Sequence, residues 1–141
     1  MDIVDYHPDH LYALRKLYLD VRRQTFTWLD THQYQLSDFD RDTLDEQIYV
    51  ALWRGQVAGF ISIWQPDHFI HHLYVDPQYH HLGLGKNLLA KARSEHATLS
   101  LKCMTQNVKA ARFYASQGFK VISHHQNDEG GYQLMRYGVK E

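Results

Sequence analysis

One stretch of the chain, residues 73–86 (LYVDPQYHHLGLGK), has the composition of an anion-binding turn. Its first three residues are typical of the end of a strand, and Gly83 and Gly85 stand where a helix should begin. Backbone N–H groups at a helix start have no partner within the helix, and the helix dipole adds positive potential there. Because the glycines allow close approach to the backbone, the stretch predicts a phosphate site. It lacks the third glycine of the dinucleotide fingerprint and the Gly-Lys-Ser/Thr of the P-loop.

A second motif follows one predicted β-α-β unit later, at residues 107–119 (NVKAARFYASQGF). With both motifs present, the chain resembles the GCN5-related N-acetyltransferase (GNAT) family. Members of that family carry an Arg/Gln-x-x-Gly-x-Gly/Ala pyrophosphate loop after a Leu-Tyr-Val-type strand, and then an Asn-x-x-Ala…Phe-Tyr…Gly-Phe helix. The resemblance covers nearly the whole chain and is strongest over residues 48–119.

The resemblance implies an enzyme that moves the acetyl group of acetyl-CoA to a primary amine by direct attack in a ternary complex. It also implies that the pantetheine arm lies between two parallel strands that splay apart, residues 69–75 and 99–103. Cys103 lies in the second of these predicted core strands, where we expect an inert buried thiol rather than a nucleophile. The residues assigned to the cofactor are Leu73, Tyr74, Val75, His80, His81, Leu82, Gly83, Leu84, Gly85, Lys86, Asn107 and Phe113.

The loop departs from the family pattern at its first two positions, which are His80 and His81 instead of Arg or Gln and the frequent Gly. An imidazole with the ordinary pKa of about 6.5 is mostly neutral at pH 7, although it can still donate to a phosphate. We therefore expect an affinity for the donor that is weaker or pH-dependent, with Lys86 as the fixed positive charge beside the loop.

Acetyl transfer to an amine has three requirements. The ammonium must lose a proton, the tetrahedral oxyanion must be stabilised, and the leaving thiolate must gain a proton. By resemblance, Tyr114 is the acid that protonates the coenzyme A sulfur, and a backbone N–H near residues 73–75 stabilises the oxyanion. No acidic residue lies in residues 48–66 or 68–75, so a histidine is the available base.

Two adjacent histidines compete for the role of base. Alternation along the strand predicts that His71 and His72 face opposite sides of the sheet, so only one of them can meet the substrate. We assign the base to His71, which lies four residues before Val75, where some family members have a strand histidine that relays the amine proton. His72 and deprotonation by water alone are the alternatives.

The chain contains 11 histidines, and His68, His71 and His72 raise the question of a metal site. A zinc site needs three or four converging ligands, usually with cysteine or carboxylate help, and the only cysteine lies in another strand. We therefore predict that no metal is bound. The further candidate ligands among the histidines are His80, His81, His124 and His125.

The acceptor is not identified by the sequence. Four aromatic residues are candidates for lining its pocket and two arginines for pairing with an acceptor carboxylate, against the competing interpretations of core packing and solvated charge. These residues are Phe26, Trp28, Tyr34, Phe39, Arg22 and Arg23.

Two other functions stay open, namely acetylation of a protein N-terminus or lysine, and a non-catalytic acyl-CoA-binding module. Tyr114 argues against such a module, whereas the absent strand Glu and His80 argue for it.

The elements that must position these residues follow from the apolar periodicity. Strands are predicted at residues 3–6, 48–53, 57–64, 69–75, 99–103, 119–123 and 132–139, and helices from residue 8, over 85–96 and over 107–117, with a loop or short helix within 25–45. The crossover between residues 69 and 103 makes its two strands parallel in one sheet. The fold class is α/β with a mixed sheet. The resemblance implies the GNAT-like acyl-CoA N-acyltransferase fold, a mostly antiparallel sheet with a parallel splayed strand pair and helices on both faces.

Length and charge limit the remaining possibilities. With 141 residues, the chain is expected to form one N-acetyltransferase domain, residues 1–141. Its 15 basic and 16 acidic residues give a net charge of -1, which excludes a general attraction to nucleic acid or anionic membranes. One cysteine and the lack of a signal-peptide pattern favour a cytoplasmic setting. The expected partner is a small-molecule or peptide amine, bound by a monomer or homodimer.

Overall fold

Seven strands form a single sheet in the computed structural model, which describes residues 1–138. In chain order the elements are β1 (Asp2–Asp5), α1 (Leu11–Thr25), α2 (Asp38–Asp42), β2 (Gln47–Trp53), β3 (Gln56–Trp64), β4 (Phe69–Val75), α3 (Leu84–Arg93), β5 (Leu99–Met104), α4 (Val108–Ser116), β6 (Lys120–His125) and β7 (Tyr132–Tyr137). The spatial order of the strands is β1-β2-β3-β4-β5-β7-β6. The predicted fold class and element order are confirmed.

Several predicted boundaries differ from the structure by one to three residues; for example, the helix predicted over residues 85–96 is Leu84–Arg93. Pro8 opens a 3₁₀ turn, Pro8–His10, and the α-helix itself begins three residues later, at Leu11. The last strand ends at Tyr137, and the predicted end at Val139 lies outside the described residues.

The predicted hairpin of β2 and β3 turns through two residues. Arg54 and Gly55 both have positive φ values, 51° and 79°. A two-residue turn with both residues in this region matches the right-handed twist of the flanking strands. The hairpin therefore places β2 and β3 antiparallel, with Trp53 opposite Gln56 at the turn.

β4 and β5 form a short parallel pair that opens almost at once. Phe69 pairs with Ser100 and Ile70 with Leu101, and the described pairing ends there. β5 continues alongside β7 in antiparallel pairing, while β4 stays with β3 as far as Val75. Because the other edge of β4 has no strand partner after Ile70, the sheet is open in the middle.

Helices pack on both faces of the sheet, as predicted. Leu14, Leu17 and Val21 of α1 are spaced for one helix face and are buried against Val50 and Phe60. On the opposite face, a second apolar cluster joins α3 and α4 to the sheet through Leu84, Leu88, Leu89, Ile61 and Ile63. Fully burying such a side chain contributes about 1.5–3 kcal/mol, so both layers are held mainly by apolar packing.

A bulge interrupts β4 at its centre. Ser62 of β3 pairs with His72 and the next pair is Ile63 with Ile70, so His71 is an extra residue without a partner in β3. An extra residue locally breaks the alternation of side chains. The two imidazoles consequently lie next to each other, with ring centroids 3.9 Å apart. The prediction that His71 and His72 face opposite sides of the sheet is wrong.

Candidate active site

A cleft of about 770 Å³ occupies the opening between β4 and β5. Many of the predicted site residues line it, namely His71, Leu73, Tyr74, Val75, His80, His81, Leu84, Asn107, Phe113 and Tyr114. Four predicted residues do not line the cleft: Leu82, Gly83, Gly85 and Lys86. They belong to the adjoining loop and the first turn of α3. For Leu82 and the two glycines the prediction rests on the backbone, whereas for Lys86 it rests on the side-chain charge.

The loop before α3 has the backbone of an anion site. His81 and Gly83 adopt left-handed conformations, with φ values of 69° and 79°, which turn the chain into the helix. The N–H of Asn87 donates to the carbonyl of Gly83, so the amides of the preceding residues in the first helical turn have no partner within the helix. Three amides and the positive end of the dipole are thus available to a phosphate.

Gly85 allows α3 and α4 to approach closely. A Cβ atom at this position would lie 3.4 Å from the ring of Phe113, so the ring would have to move to accept any side chain. Asn107 begins α4 and accepts a hydrogen bond from the N–H of Ala110 at 3.3 Å, which caps the helix. The second motif therefore sets the packing of α4 against the loop.

Tyr114 lies on α4 with its ring between Phe113 and Phe119, at centroid distances of 5.5 Å. Burial raises the pKa of the Tyr114 phenol, and the neighbouring Cys103 and Tyr74 raise it further. The phenol therefore keeps its proton at neutral pH. Its hydroxyl makes no hydrogen bond with any of residues 1–138, so that proton is available to a ligand in the cleft.

Cys103 also lines the cleft but is a poor nucleophile. Only 4% of the residue is exposed, and burial raises the pKa of its thiol to about 11. The reactive form is the thiolate, which is scarce at neutral pH under these conditions. This chemistry favours direct transfer over an acetyl-enzyme.

The bulge of β4 brings His71 next to a carboxylate that sequence analysis missed. His71 Nδ1 lies 2.9 Å from Glu46 Oε2, and the side chain of Glu46 is only 6% exposed. Glu46 immediately precedes β2, two positions before the part of the chain searched for an acidic base. Nothing in the local sequence connects Glu46 with residue 71, because the contact depends on the register of three strands and on the bulge.

His72 is buried in a chain of hydrogen bonds. The hydroxyl of Tyr18 donates to Asp42 at 2.7 Å, because the carboxylate can only accept. The Tyr18 oxygen therefore accepts from His72 Nε2–H at 3.1 Å, and His72 Nδ1 accepts from the hydroxyl of Ser62 at 2.8 Å. Burial lowers the pKa of His72 to about 3, and the nearby His71 adds to this effect. His72 is consequently neutral and fully bonded, which makes it unsuitable as a base.

The two arginines considered for an acceptor carboxylate are already engaged. Arg22 is buried and contacts Asp38 at 3.2 Å, and its guanidinium lies 3.8 Å from the ring centroid of Tyr18 and 4.3 Å from that of Tyr34. Arg23 donates to the carbonyl of Tyr34 at 3.1 Å. Both side chains contact the segment after α1, and Arg22 also lines the cleft, so their pairing with an acceptor carboxylate stays a prediction.

The aromatic candidates separate into core and cleft. Phe39 is 2% exposed and packs in the core, whereas Phe26 and Tyr34 line the cleft. Trp28 reaches across the cleft rim, where its Nε1–H donates to the carbonyl of Glu129 at 3.3 Å. Three further cations line the cleft and were not predicted from the sequence, namely Arg41, Lys102 and Lys109.

The histidines are mostly dispersed over the fold. Within residues 1–138, the one group of at least three potential metal ligands is Glu46, His71 and His72, whose ligand atoms lie within 4.8 Å of one another. His72 Nδ1 already accepts from Ser62, which leaves two free ligands instead of the three that a zinc site requires. His68 lies outside this group, and its Nδ1 is 2.8 Å from Nδ1 of His96. The absence of a metal stays a prediction.

A sheet opened between two parallel strands, beside a helix start whose free amides can bind an anion, is the arrangement that the resemblance to acyl-CoA N-acyltransferases implied. Residues 11–119 match the model of the Acetyltransferase (GNAT) family. The chain belongs to this family, and it is an acetyl-CoA-dependent N-acetyltransferase, as the resemblance implied. Among residues 1–138, no helix is both long enough and apolar enough to cross a bilayer.

Relatives of known name support the assignment. Peptidyl-lysine N-acetyltransferase YiaC of Escherichia coli (strain K12) is 28% identical over 120 residues, which are 79% of this chain and 80% of the relative. The PaiA N-acetyltransferase of Thermoplasma acidophilum in complex with coenzyme A has a TM-score of 0.76 at 20% identity, covering 99% of this chain and 100% of that chain. YncA of Salmonella typhimurium, a putative acetyltransferase with acetyl-CoA, has a TM-score of 0.73 at 22% identity, covering 100% and 95%.

Proposed function

We propose that the protein transfers the acetyl group of acetyl-CoA to a primary amine by direct attack in a ternary complex. The observation that carries this proposal is the single cleft whose lining includes Leu84 at the start of α3, Tyr114 and His71. Its volume, about 770 Å³, accommodates the acyl end of the donor together with an acceptor.

The open edge of β4 supplies the donor contacts in this proposal. The N–H of Asp76 donates to the carbonyl of Ala58 in β3, and alternation directs the amide of Tyr74 to β3 as well. The amides of Leu73 and Val75 therefore face the opening. They are the groups that we assign to the pantetheine arm and to the oxyanion, while the amides at the start of α3 take the pyrophosphate.

The proposed reaction removes two protons from the nitrogen, adds one to the sulfur and exchanges a C–S bond for a C–N bond. His71 accepts a proton from the acceptor ammonium, and the amine nitrogen then attacks the thioester carbon. A C–N bond forms, the carbonyl oxygen takes the electron pair, and the amides of Leu73 and Val75 stabilise the oxyanion. The C=O bond re-forms as the C–S bond breaks, and the Tyr114 hydroxyl donates its proton to the sulfur. The nitrogen releases its second proton to solvent, and solvent reprotonates the phenolate.

The lining of the cleft carries charges of both signs. The carboxylates of Asp42 and Glu129 line it together with four cations, which are Arg22, Arg41, Lys102 and Lys109. The charge of the lining therefore does not select the acceptor, and the choice of an amine rests on the family. The cytoplasmic setting and the choice between monomer and homodimer stay predictions.

A protein lysine is the second candidate acceptor. It rests on the 28% identity with a relative named as a peptidyl-lysine N-acetyltransferase. A peptide acceptor would have to lie along the rim of the cleft, where Trp28 donates a hydrogen bond to the carbonyl of Glu129.

Release of coenzyme A from acetyl-CoA, measured with a thiol reagent, tests the proposal. The panel consists of a polyamine, an arylalkylamine, an aminoglycoside, a lysine-containing peptide with a blocked N-terminus and a lysine-free peptide with a free N-terminus. We expect one class to exceed the enzyme-free rate, and the two peptides separate lysine from N-terminal acetylation. If acetyl-CoA binds tightly but no amine is acetylated, the protein is instead a non-catalytic acyl-CoA-binding module. Binding is seen as a thermal shift, because a ligand at a hundredfold excess over its Kd raises the free energy of unfolding by about 2.7 kcal/mol.

A further inference from the structure

Glu46 stands in a turn that fixes its direction. Its N–H donates to the carbonyl of Thr43 at 3.0 Å, and Asp45, the residue just before Glu46, has a φ of 63°. A left-handed conformation is unfavourable for a residue other than glycine and tends to persist where the surrounding structure requires it. The turn directs the carboxylate of Glu46 onto the bulge of β4.

The carboxylate contacts one nitrogen of His71 and leaves the other free. Glu46 Oε2 lies 2.9 Å from His71 Nδ1, and the carboxylate can only accept, so Nδ1 carries the hydrogen. In a neutral imidazole, Nε2 then carries the lone pair. His71 is 43% exposed and lines the cleft, whereas Glu46 is 6% exposed and does not, so Nε2 is the nitrogen presented to a ligand.

The second oxygen of Glu46 shows that the residue is not placed for stability alone. Oε1 is buried and has no hydrogen-bond partner within residues 1–138. It lies 4.0 Å from His72 Nδ1, but that nitrogen already accepts a hydrogen bond from Ser62 and has no hydrogen to donate. A buried carboxylate oxygen without a partner is costly, so each such group needs an explanation.

We propose that Glu46 is a positioning residue that holds His71 in the Nδ1–H tautomer, so that the Nε2 lone pair meets the acceptor amine. The inference rests on the proposed function, because it assigns the mechanism by which His71 serves as base. When Nε2 takes the proton, the positive imidazolium lies against the negative Glu46 carboxylate, which stays ionised. This arrangement is the carboxylate–histidine pairing by which hydrolases orient a catalytic imidazole.

The charges around His71 determine how its protonation responds to a substitution. Glu46 and the neutral His72 are in contact with the ring, and Arg41 and Asp42 of α2 line the same cleft. Among these, Glu46 is the carboxylate within hydrogen-bond distance. Replacing it with an amide removes the charge that favours the imidazolium, so protonation of the base requires a lower pH.

The first test is the kinetics of Glu46→Gln with the best amine. We expect kcat/KM for the amine to fall about 10- to 100-fold at pH 7, because the amide can donate to Nδ1 and favour the wrong tautomer. The acid limb of the pH profile should move to lower pH, and the Kd for acetyl-CoA should not change. Glu95→Gln is the matched control, since this carboxylate bonds Gln47 and Tyr49 away from the cleft. Full activity of Glu46→Gln would overturn the proposal.

A double-mutant cycle separates this inference from the proposed function. If Glu46 acts through His71, Glu46→Gln should have no further effect on kcat in the His71→Ala background. The same fold-loss in both backgrounds would show that Glu46 acts independently and would overturn the positioning role. Unchanged kcat in His71→Ala alone would instead contradict the base assigned under the proposed function.

The tautomer itself can be observed in the wild-type protein, and a variant is needed there only to assign the signals. In a long-range ¹H–¹⁵N spectrum, the His71 signals are those lost in His71→Ala. We expect the wild-type protein above pH 8 to show a protonated Nδ1 and an unprotonated Nε2, and Glu46→Gln to shift the population towards Nε2–H. An Nε2–H tautomer in the wild-type protein would overturn the proposal.

Discussion

The cleft has two halves that are built by different means. The donor half comprises the loop of residues 76–83, the start of α3, and α4, and it presents backbone amides and two tyrosines, Tyr79 and Tyr114. The acceptor half comprises α1, α2 and the bulged part of β4, and it presents side chains connected by hydrogen bonds from Asp42 through Tyr18 and His72 to Ser62. The donor half therefore depends on the conformation of the backbone, whereas the acceptor half depends on which side chains form its hydrogen bonds.

This difference determines how each half responds to substitution. Backbone amides at a helix start survive most side-chain changes, provided that the loop keeps its conformation. In a buried network, removal of one partner leaves another polar group without a hydrogen bond in a medium of low dielectric constant. We therefore expect changes in the donor half to alter donor binding or chemistry at constant stability, and changes in the acceptor half to lower stability.

The largest effect on rate is expected in the donor half, at Tyr114. Tyr114→Phe keeps the ring and its contacts with Phe113 and Phe119 and removes only the hydroxyl, which has no protein partner among residues 1–138. A general acid contributes about 10²- to 10⁴-fold to the rate, so kcat should fall by that factor. Steady-state kinetics with the best amine measure it.

The control for Tyr114→Phe is the thermal midpoint together with acetyl-CoA affinity, both of which should match the wild-type protein. A kcat within about threefold of wild type, with donor binding intact, would remove Tyr114 from the role of acid, because general acids contribute more than that.

The largest effect on stability is expected in the acceptor half, at Asp38. Its carboxylate contacts the buried guanidinium of Arg22 at 3.2 Å and accepts from the N–H of Gln35 at 2.9 Å. Asp38→Ala leaves a buried charge without its partner, which typically costs about 3–5 kcal/mol. Urea denaturation measures the loss in the free energy of unfolding.

The matched control is Asp40→Ala, which breaks the exposed ion pair with Arg15. Exposed pairs are weakened by water and salt, so this variant should lose far less stability than Asp38→Ala. Equal losses in the two variants would contradict the claim that burial makes the acceptor half sensitive.

The donor half could be predicted from the sequence because its parts are neighbours along the chain. The glycines, the helix start and the preceding strand end lie within residues 73–86, and a local motif therefore defines their geometry. The same holds for the fold where local signals are strong, as in the Arg54–Gly55 turn of the β2–β3 hairpin.

The acceptor half could not be predicted because its contacts join distant residues. Glu46 and His71 are 25 positions apart, and Tyr18 and His72 are 54 apart. Alternation assigned the two histidines to opposite faces, and one extra residue in β4 overturned that assignment. No local pattern marks a bulge here, since it is determined by how β4 pairs with β3 and then leaves β5.

A smaller effect on stability is expected from pH, again in the acceptor half. Burial lowers the pKa of His72 to about 3, well below the ordinary value of 6.5. Below about pH 6.5 the unfolded chain binds a proton at this site that the folded chain does not, so stability is present above that pH and is lost as the pH falls towards 3. Each pH unit corresponds to about 1.4 kcal/mol, or about 2 kcal/mol between pH 7 and pH 5.

Urea denaturation of the wild-type protein and His72→Gln at pH 7 and pH 5 measures this contribution. The variant should be less stable at pH 7 but lose less on acidification, because residue 72 no longer titrates. Burial also lowers the pKa of His96. His96 therefore contributes equally to the pH dependence of stability in both proteins, and its contribution cancels in the comparison. Equal slopes would show that His72 does not carry the pH dependence of the acceptor half.

The smallest effect is expected in the donor half, at His80. His80 Nε2–H donates to the carbonyl of Val75 at 3.2 Å, so a neutral ring offers a phosphate only the lone pair of Nδ1. Protonation puts a hydrogen on Nδ1 as well, and coenzyme A should therefore bind more tightly as the pH falls from 8 to 6. Because His80 is exposed, the gain should be only about two- to fivefold.

His80→Arg replaces this titrating group with a permanent cation, and it should flatten the binding profile and tighten binding at pH 8. Calorimetry should use dephospho-coenzyme A, because the 3′-phosphate of coenzyme A itself titrates near about pH 6 and would oppose the trend. The other ionisable side chains that line this part of the cleft are His81, Tyr79 and Lys109. An equally steep profile in His80→Arg that becomes flat in His81→Gln would therefore assign the effect to His81. The thermal midpoint of His80→Arg should equal that of the wild-type protein, because replacing an exposed imidazole leaves no buried polar group without a hydrogen bond. Substitutions in the acceptor half are expected to lower the midpoint, so this measurement distinguishes the two halves.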